Sequence, residues 1–411
     1  MSDPLDPALL ADTFDHLDPD ADADDVDRAL EAFRSACPVA RIASQDGTVL
    51  VADDHHASVV GKRGDLFSAR TTAGTSRRLD TAWDELAPIF DQDPMYPGEE
   101  PGLANGHTDT RRALTELFTP RAARRLEPYA REITRARLAE LRPRGRADAV
   151  ADLAHHLPWL ITGLLLGIPE PQRATYRTLA RTRFAATPGT PAAECAGARL
   201  DAFLLDQITQ RRQRPGEDAL SRLLDVEIAG QRFTDAQLRR WAMIMSAAGS
   251  LTTGDTIASV LLHLVHDDTL RADMRAHPER LPQLVDEIAR TQGAVFSSGR
   301  TVRQATELGG VVLQPGDRVT VFWASAGRDG KVHPGADEIR LDRRRAAHAG
   351  WGRGAHRCLG RDVALVTIPA IVDEVLRALP DFRLDSAAPR PRRTSGELRG
   401  VECLPIVWTP C

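Results

Sequence analysis

The sequence is poor in cysteine and in long uncharged apolar runs, and each shortage excludes something. Five cysteines, Cys37, Cys195, Cys358, Cys403 and Cys411, are spread through 411 residues, with no CxxC pair among them. That spacing excludes a grouped-thiolate zinc site, a dithiol redox motif and an iron–sulfur cluster, and an odd scatter is no disulfide framework, so a reducing compartment is expected. No uncharged apolar stretch reaches membrane length, and the acidic segment from Asp3 to Asp25 lacks the basic and apolar regions of a secretory signal. A cytoplasmic protein without a membrane anchor is therefore expected. Basic excess is also missing. The net charge is -5 and the arginines are scattered, which leaves no electrostatic footprint for nucleic acid. No GxGxxG turn follows a strand, so a built-in flavin site is not expected and any electrons must come from elsewhere. Internal repeats and linkers are absent as well, and residues 1–411 read as a single domain, with 1–25 an acidic N-terminal segment.

What is present is a chain that is 42% hydrophobic, enough for a large core. A helix is expected from Asp25 to Phe33, then a hairpin of Val39–Ala43 and Thr48–Val51 around an Asp46-Gly47 turn. A short helix should run from His55 to Lys62, where the adjacent His55 and His56 diverge and read as a solvated face rather than a metal site. From Ser68 to Gly106 the chain is rich in Thr, Ser, Gly and Pro, with a short helix at Asp80–Phe90, and reads as a long binding loop. Thr119-Pro120 is a capping pair at a helix start. Residues 121–240 are helical by pattern, with breaks at Pro143, Gly167–Pro169, Pro188–Pro191 and Gly230. Trp241 through Leu264 is apolar nearly all round and belongs in the core. Val311–Leu313 and Arg318–Trp323 read as a second hairpin about Gln314–Asp317.

The stretch Trp351-Gly352-Arg353-Gly354-Ala355-His356-Arg357-Cys358-Leu359-Gly360 carries most of the chemistry. Glycines at 352, 354 and 360 allow left-handed backbone and close approach to a flat ligand. The helix that follows, through Val363, Ile368, Ile371, Val372 and Val375, favours a thiolate at Cys358, hence a metal ligand or a nucleophile. Cys358 taken alone would also fit a small buried hydrophobe.

The whole pattern resembles the haem-binding loop of the cytochrome P450 family, with Trp351 where phenylalanine is usual. The resemblance implies a mainly α fold with small β-sheets, one domain enclosing haem b between a long central helix and this loop. It makes Cys358 the axial iron ligand, with His356 and Gly352 also at the haem; such a thiolate pushes electron density onto the iron and favours O–O cleavage. His107 and Arg111 lie four apart on an expected helix and share a face, and the resemblance turns that pair toward a haem propionate. Arg300 matches the second propionate arginine, with Arg303 as a competitor; a guanidinium fork suits a carboxylate. Glu287 and Arg290 match the structural Glu-x-x-Arg pair. Ala248-Gly249-x-x-Thr252-Thr253 is similar to the oxygen-activation signature, in which Ala248 and Gly249 lie against the haem and Thr252 relays protons. Leu251 stands where Asp or Glu is usual, so the ordinary relay is in question; Asp255, one turn on, is either the replacement acid or a solvated or helix-paired acid.

By motif position the substrate surface would comprise Ile244, Ala248, Thr252, Phe296, Ser298 and Leu398, suited to a mid-sized natural product of secondary metabolism. The resemblance implies a monooxygenase fed by a ferredoxin or flavodoxin with its reductase, docking at the positive charge of Arg353 and Arg357. The helix from Ala248 to Gly254 also looks like that of the P450s that oxidatively couple cyclic dipeptides, so C–C or C–N coupling without oxygen insertion is the alternative reaction. A non-catalytic haem sensor is the rival class.

Overall fold

The computed structural model describes residues 7–18, 20–69, 106–187, 189–228, 231–343 and 347–410. The expected loop and short helix between 70 and 105 lie outside the described residues, as do Pro188, Gly230 and Cys411. The fold is mainly helical with small sheets, as expected, and the chain divides into two compact units.

The first unit comprises Met1–Arg78, Ala258–Cys358 and Ala387–Leu404. Its centre is a five-stranded sheet in the order Val39–Ile42, Thr48–Val51, Arg318–Phe322, Ser297–Val302, Phe67–Ser68. The expected first hairpin forms, with Val39 opposite Val51 and with Asp46 and Gly47 left-handed at the turn, at φ 54° and 72°. Strand alternation sends Val49, Val51, Val319 and Val321 to one apolar cluster and Leu50 and Phe322 to another, where they meet Phe14, Phe33 and Phe296. Both faces are thereby covered, and Thr48–Val51 is buried throughout.

The second expected hairpin is corrected. Val311–Leu313 pairs instead with Thr306–Leu308, whereas Arg318–Phe322 lies between Thr48–Val51, which runs parallel to it, and antiparallel Ser297–Val302. The apolar run Val319–Phe322 buries more surface in the middle of the large sheet than in a two-stranded ribbon. A helix at Pro7–Thr13 was also not anticipated.

The second unit comprises Leu79–Ile257, Leu359–Ser386 and Pro405–Cys411. Its helices include Gly106–Thr115, Glu127–Leu141, Pro158–Leu165, Glu170–Ala185, Pro191–Gln213 and Arg361–Ala378. Thr119 caps the helix Pro120–Arg124 as expected, its Oγ1 accepting from the Ala122 N–H at 3.2 Å. Arg361–Ala378 is fastened to Glu127–Leu141 by Arg131, 2.6 Å from Asp373, and by Arg135, 2.7 Å from Glu374. The long helix Asp235–His266 begins in this unit and ends in the first. Two of its buried hydroxyls find partners: Ser246 Oγ accepts from Tyr176 at 2.7 Å and Ser250 donates to Thr162 Oγ1 at 3.0 Å. Among the elements that interrupt the expected helical stretch are a strand at Arg146–Asp148 paired with Pro405–Val407, a π-helix at Val150–Ala154 and the paired strands Glu227–Ile228 and Gln231–Arg232.

Candidate functional sites on the two units

In the first unit the loop before Cys358 is wound tightly. Gly352 N–H donates to Ala349 C=O at 2.7 Å, Arg357 N–H to Gly354 C=O at 3.2 Å, and Cys358 N–H to Trp351 C=O at 2.8 Å. Gly352 and Gly354 are left-handed, at φ 72° and 70°, and a Cβ at Gly354 would collide with the Gly61 carbonyl oxygen, so no other residue fits there. Gly360 does not share that geometry. Its φ of -81° makes it the ordinary entry to the helix Arg361–Ala378.

Two carboxylates that the sequence did not single out fix this loop. Asp286 accepts from the Trp351 indole N–H at 2.8 Å, and Asp54 accepts from Arg353 at 2.6 Å. The second contact corrects the expectation that Arg353 presents charge to a partner. Its side chain is 13% exposed and its charge is met by Asp54, whereas Arg357 is exposed. Cys358 is exposed and forms no disulfide, and His356 is half-buried beside it in the chain.

Glu287 and Arg290 hold the segment that leads to the loop. Arg290 is 1% exposed; it donates to Glu287 at 2.9 and 2.8 Å and to the carbonyls of Gly327, Ala336 and Glu338 at 2.8, 2.6 and 3.0 Å. Burial works to raise the Glu287 pKa, but the Arg290 bonds, the Arg340 backbone N–H and the charges of Arg290 and Arg343 outweigh it, and the carboxyl is held below its ordinary range. Arg300 lies in the central sheet, buried, and donates to Gly299 C=O at 2.6 Å and Ser298 Oγ at 3.3 Å; Arg303 is exposed.

Of the expected substrate residues here, Ser298 is half-buried and accepts from the Trp323 indole at 2.7 Å, and Leu398 is half-buried and bridges to Val295. Phe296 departs from expectation. It is 1% exposed, edge-on to Phe322 at 5.5 Å, with the Arg399 guanidinium 3.3 Å from its ring centroid, and it serves as a core ring of this unit.

In the second unit the site residues sit on Asp235–His266. Ala248 and Gly249 are exposed along a helix that is otherwise mostly covered, and Thr252 is half-buried with its hydroxyl donating to Ala248 C=O at 2.6 Å. Ile244, 8% exposed, belongs to the apolar cluster of this unit, and Leu251 packs partly against that cluster. Asp255 is close to His155: Oδ1 lies 3.1 Å from Nε2, and the carboxylate side chain is 13% exposed. Burial raises the Asp255 pKa, opposed only in part by the His155 bond and charge. Arg111 is half-buried on Gly106–Thr115, and the side chain of His107 on the same helix lies outside the described residues.

No protein-family model matches the chain. Individual relatives do. The chain is 33% identical over 314 residues to cytochrome P450 monooxygenase PikC of Streptomyces venezuelae, covering 74% of each chain. To the mycinamicin IV hydroxylase/epoxidase of Micromonospora griseorubida it is 31% identical over 386 residues, 87% of this chain and 97% of that one. Among solved structures, CYP101J2 superposes with a TM-score of 0.82 at 23% identity, covering 96% of both chains. Among the described residues no helix is long and apolar enough to cross a membrane. Taken with the motif order along both units, these similarities show that the chain belongs to the cytochrome P450 family of haem oxidoreductases.

Proposed function

We propose that the chain is a haem b monooxygenase in which Cys358 would hold the iron. The observation that carries the reading is the exposed residue Cys358, outside any disulfide, at the end of a loop pinned through Trp351 and Arg353. The donor set fits the group. A single thiolate suits haem iron, and the exposed, small Ala248 leaves room for a flat ring. When bound, the haem supplies dioxygen activation, with the thiolate as electron donor to the metal. The side chains then have separate tasks. Arg300, His107, Arg111 and His356 hold the propionates; Ala248, Thr252, Ser298 and Leu398 meet the substrate, and Ile244 belongs to the apolar cluster of the second unit. Thr252 passes a proton through its hydroxyl, and Asp255, on the same helix, supplies it. Electrons come from a ferredoxin or flavodoxin with its reductase, docking at Arg357.

The substrate is a mid-sized natural product, a reading supported by the likeness to an enzyme named for mycinamicin IV. Leu251 favours a second reading, oxidative C–C or C–N coupling, because an apolar side chain at that turn carries no proton. Product mass under labelled dioxygen separates them: one labelled oxygen gained means monooxygenation, and loss of two hydrogens without label means coupling. For the haem itself, the reduced carbonyl complex should give the red-shifted Soret band of thiolate ligation, lost in Cys358→Ala. A wild-type spectrum without that band defeats the assignment of Cys358.

A further inference from the structure

The π-helix Val150–Ala154 and the central helix converge on His155, a residue with no role in the reading so far. A π-turn is rare and concentrates at functional sites. Here it delivers His155 against the second unit's part of Asp235–His266. A Cβ on Gly254 would come within 3.0 Å of both Ala154 C=O and His155 Nδ1, so glycine is what lets the imidazole approach. Nε2 then reaches Asp255 Oδ1 at 3.1 Å. At about 100° per residue, Asp255 points about 20° from the direction of Ala248, between those of Leu251 and Thr252. It therefore shares the stripe that carries the exposed Ala248 and the half-buried Thr252, one turn further along.

We propose that His155 is the proton-supply and positioning residue for Asp255: solvent protonates the imidazole at Nδ1, and Nε2 hands the proton to Asp255 Oδ1 after the carboxyl has given one up toward Thr252. The inference rests on the reading in which Asp255 supplies the proton. No bond to the substrate changes in this exchange, and charge is conserved because each proton released toward Thr252 is replaced from solvent through one imidazole. The His155 side chain is 26% exposed against 13% for Asp255, an outer and an inner member of a relay. His155 is the ionisable group acting on Asp255. The arginines nearby, Arg137, Arg177 and Arg181, act on the neighbouring His156 and hold it neutral, with burial, at a pKa of about 3. His156, bonded to Arg177, is thus no substitute.

The test uses the haem-loaded enzyme with a heterologous ferredoxin, its reductase and NADPH and no organic substrate. Each NADPH consumed then reduces one dioxygen to hydrogen peroxide with two protons. His155→Ala should lower NADPH consumption roughly ten-fold, the low end for a lost acid–base group because water partly replaces it. It should also raise the solvent deuterium isotope effect, and millimolar imidazole should restore the rate. A readout independent of turnover is the infrared carboxyl band of Asp255, assigned by its loss in Asp255→Asn; its titration midpoint should move up in His155→Ala. If Asp255→Asn slows consumption but His155→Ala does not and imidazole is silent, the His155 inference is wrong and the Asp255 reading survives. An unmoved infrared midpoint also overturns it. Unchanged consumption in Asp255→Asn removes both. An intact carbonyl Soret band in each variant certifies that the fold and haem are retained.

Discussion

Replacing Arg290 by Met would remove the most heavily bonded cation in the first unit, and the loss can be worked out from its partners. Three backbone carbonyls, those of Gly327, Ala336 and Glu338, would lose their donor. Glu287 would not be stranded, because Arg340 N–H at 3.1 Å and Arg343 at 3.3 Å still face its Oε2. Met fills most of the volume, so the cavity cost is small. Breaking a buried pair from one side costs about 3–5 kcal/mol, and the residual partners of Glu287 place the variant near about 3 kcal/mol. Glu287→Gln keeps the shape but leaves a 1%-exposed guanidinium without its carboxylate; hydrogen bonds to charged groups are worth about 1.5–3 kcal/mol each, so it should cost at least as much. Either loss is a large share of the roughly 5–15 kcal/mol of a typical domain. Urea unfolding followed by tryptophan fluorescence measures it, with haem retention as a second probe. Because Glu287 is held below its ordinary pKa of 4.5, its contribution is present above that pH and lost as pH falls through the depressed value. The difference between wild type and Glu287→Gln should therefore shrink in acid. A cost below about 1 kcal/mol for Arg290→Met, the size of one ordinary hydrogen bond, would refute the reasoning.

Three further outcomes follow. Arg300→Leu should weaken haem retention in an apomyoglobin transfer assay more than Arg303→Leu does, since Arg300 is buried and Arg303 exposed; the reverse ranking moves the propionate role to Arg303. Asp27 is faced by Arg399, Arg328 and Arg393, whose charges overcome the effect of burial and depress its pKa below the ordinary 3.8. Its stabilisation is thus present above that pH and is lost as pH falls through the lowered value, and Asp27→Asn should cost about 2–4 kcal/mol at neutral pH, read as a fall in Tm that disappears in strong acid. Leu251→Asp should change NADPH consumption by less than Asp255→Asn does, because a carboxyl already stands one turn away; a large acceleration would mean that Asp255 supplies few of the protons.

The parts of the fold legible in the sequence are those written locally. Asp46-Gly47 specifies a left-handed turn, Thr119-Pro120 a capped helix start, and the apolar length after Trp241 a buried helix; each rests on neighbours within a few residues. Glu287 and Arg290 were legible as a pair, but their partners, three carbonyls between Gly327 and Glu338, were not. The strand Arg146–Asp148 carries two charged residues in three positions and has no periodicity of its own; pairing with Pro405–Val407, far along the chain, makes it a strand. His16 reads as polar in the acidic entry segment, yet it is buried among Phe14 and Phe322 with Ser297 and Gln45 on its ring nitrogens, and burial lowers its pKa to about 3. Nothing near it in the chain signals that. Asp286 and Asp54 were illegible for the same reason, being ordinary surface acids until the loop folds onto them.

Leu251 and Asp255 show how a departure from a family pattern changes meaning with its surroundings. In the sequence, a leucine in place of the acid reads as a loss, and a loss points away from oxygen insertion. In the structure Leu251 packs partly against the apolar cluster of its unit, where a carboxylate would carry a desolvation cost. Asp255 lies against the His155 imidazole, which the adjacent Gly254 lets approach the helix, so an acid has a partner at 255. A carboxyl with a raised pKa is also a better proton source near neutral pH than an exposed aspartate, since more of it carries the proton to be given. The helix repeat places it on the stripe of Ala248 and Thr252. On the proposed reading of Asp255, moving the acid by one turn would retain a proton path, and the balance of packing at 251 against pairing at 255 would then weigh for oxygen insertion over coupling.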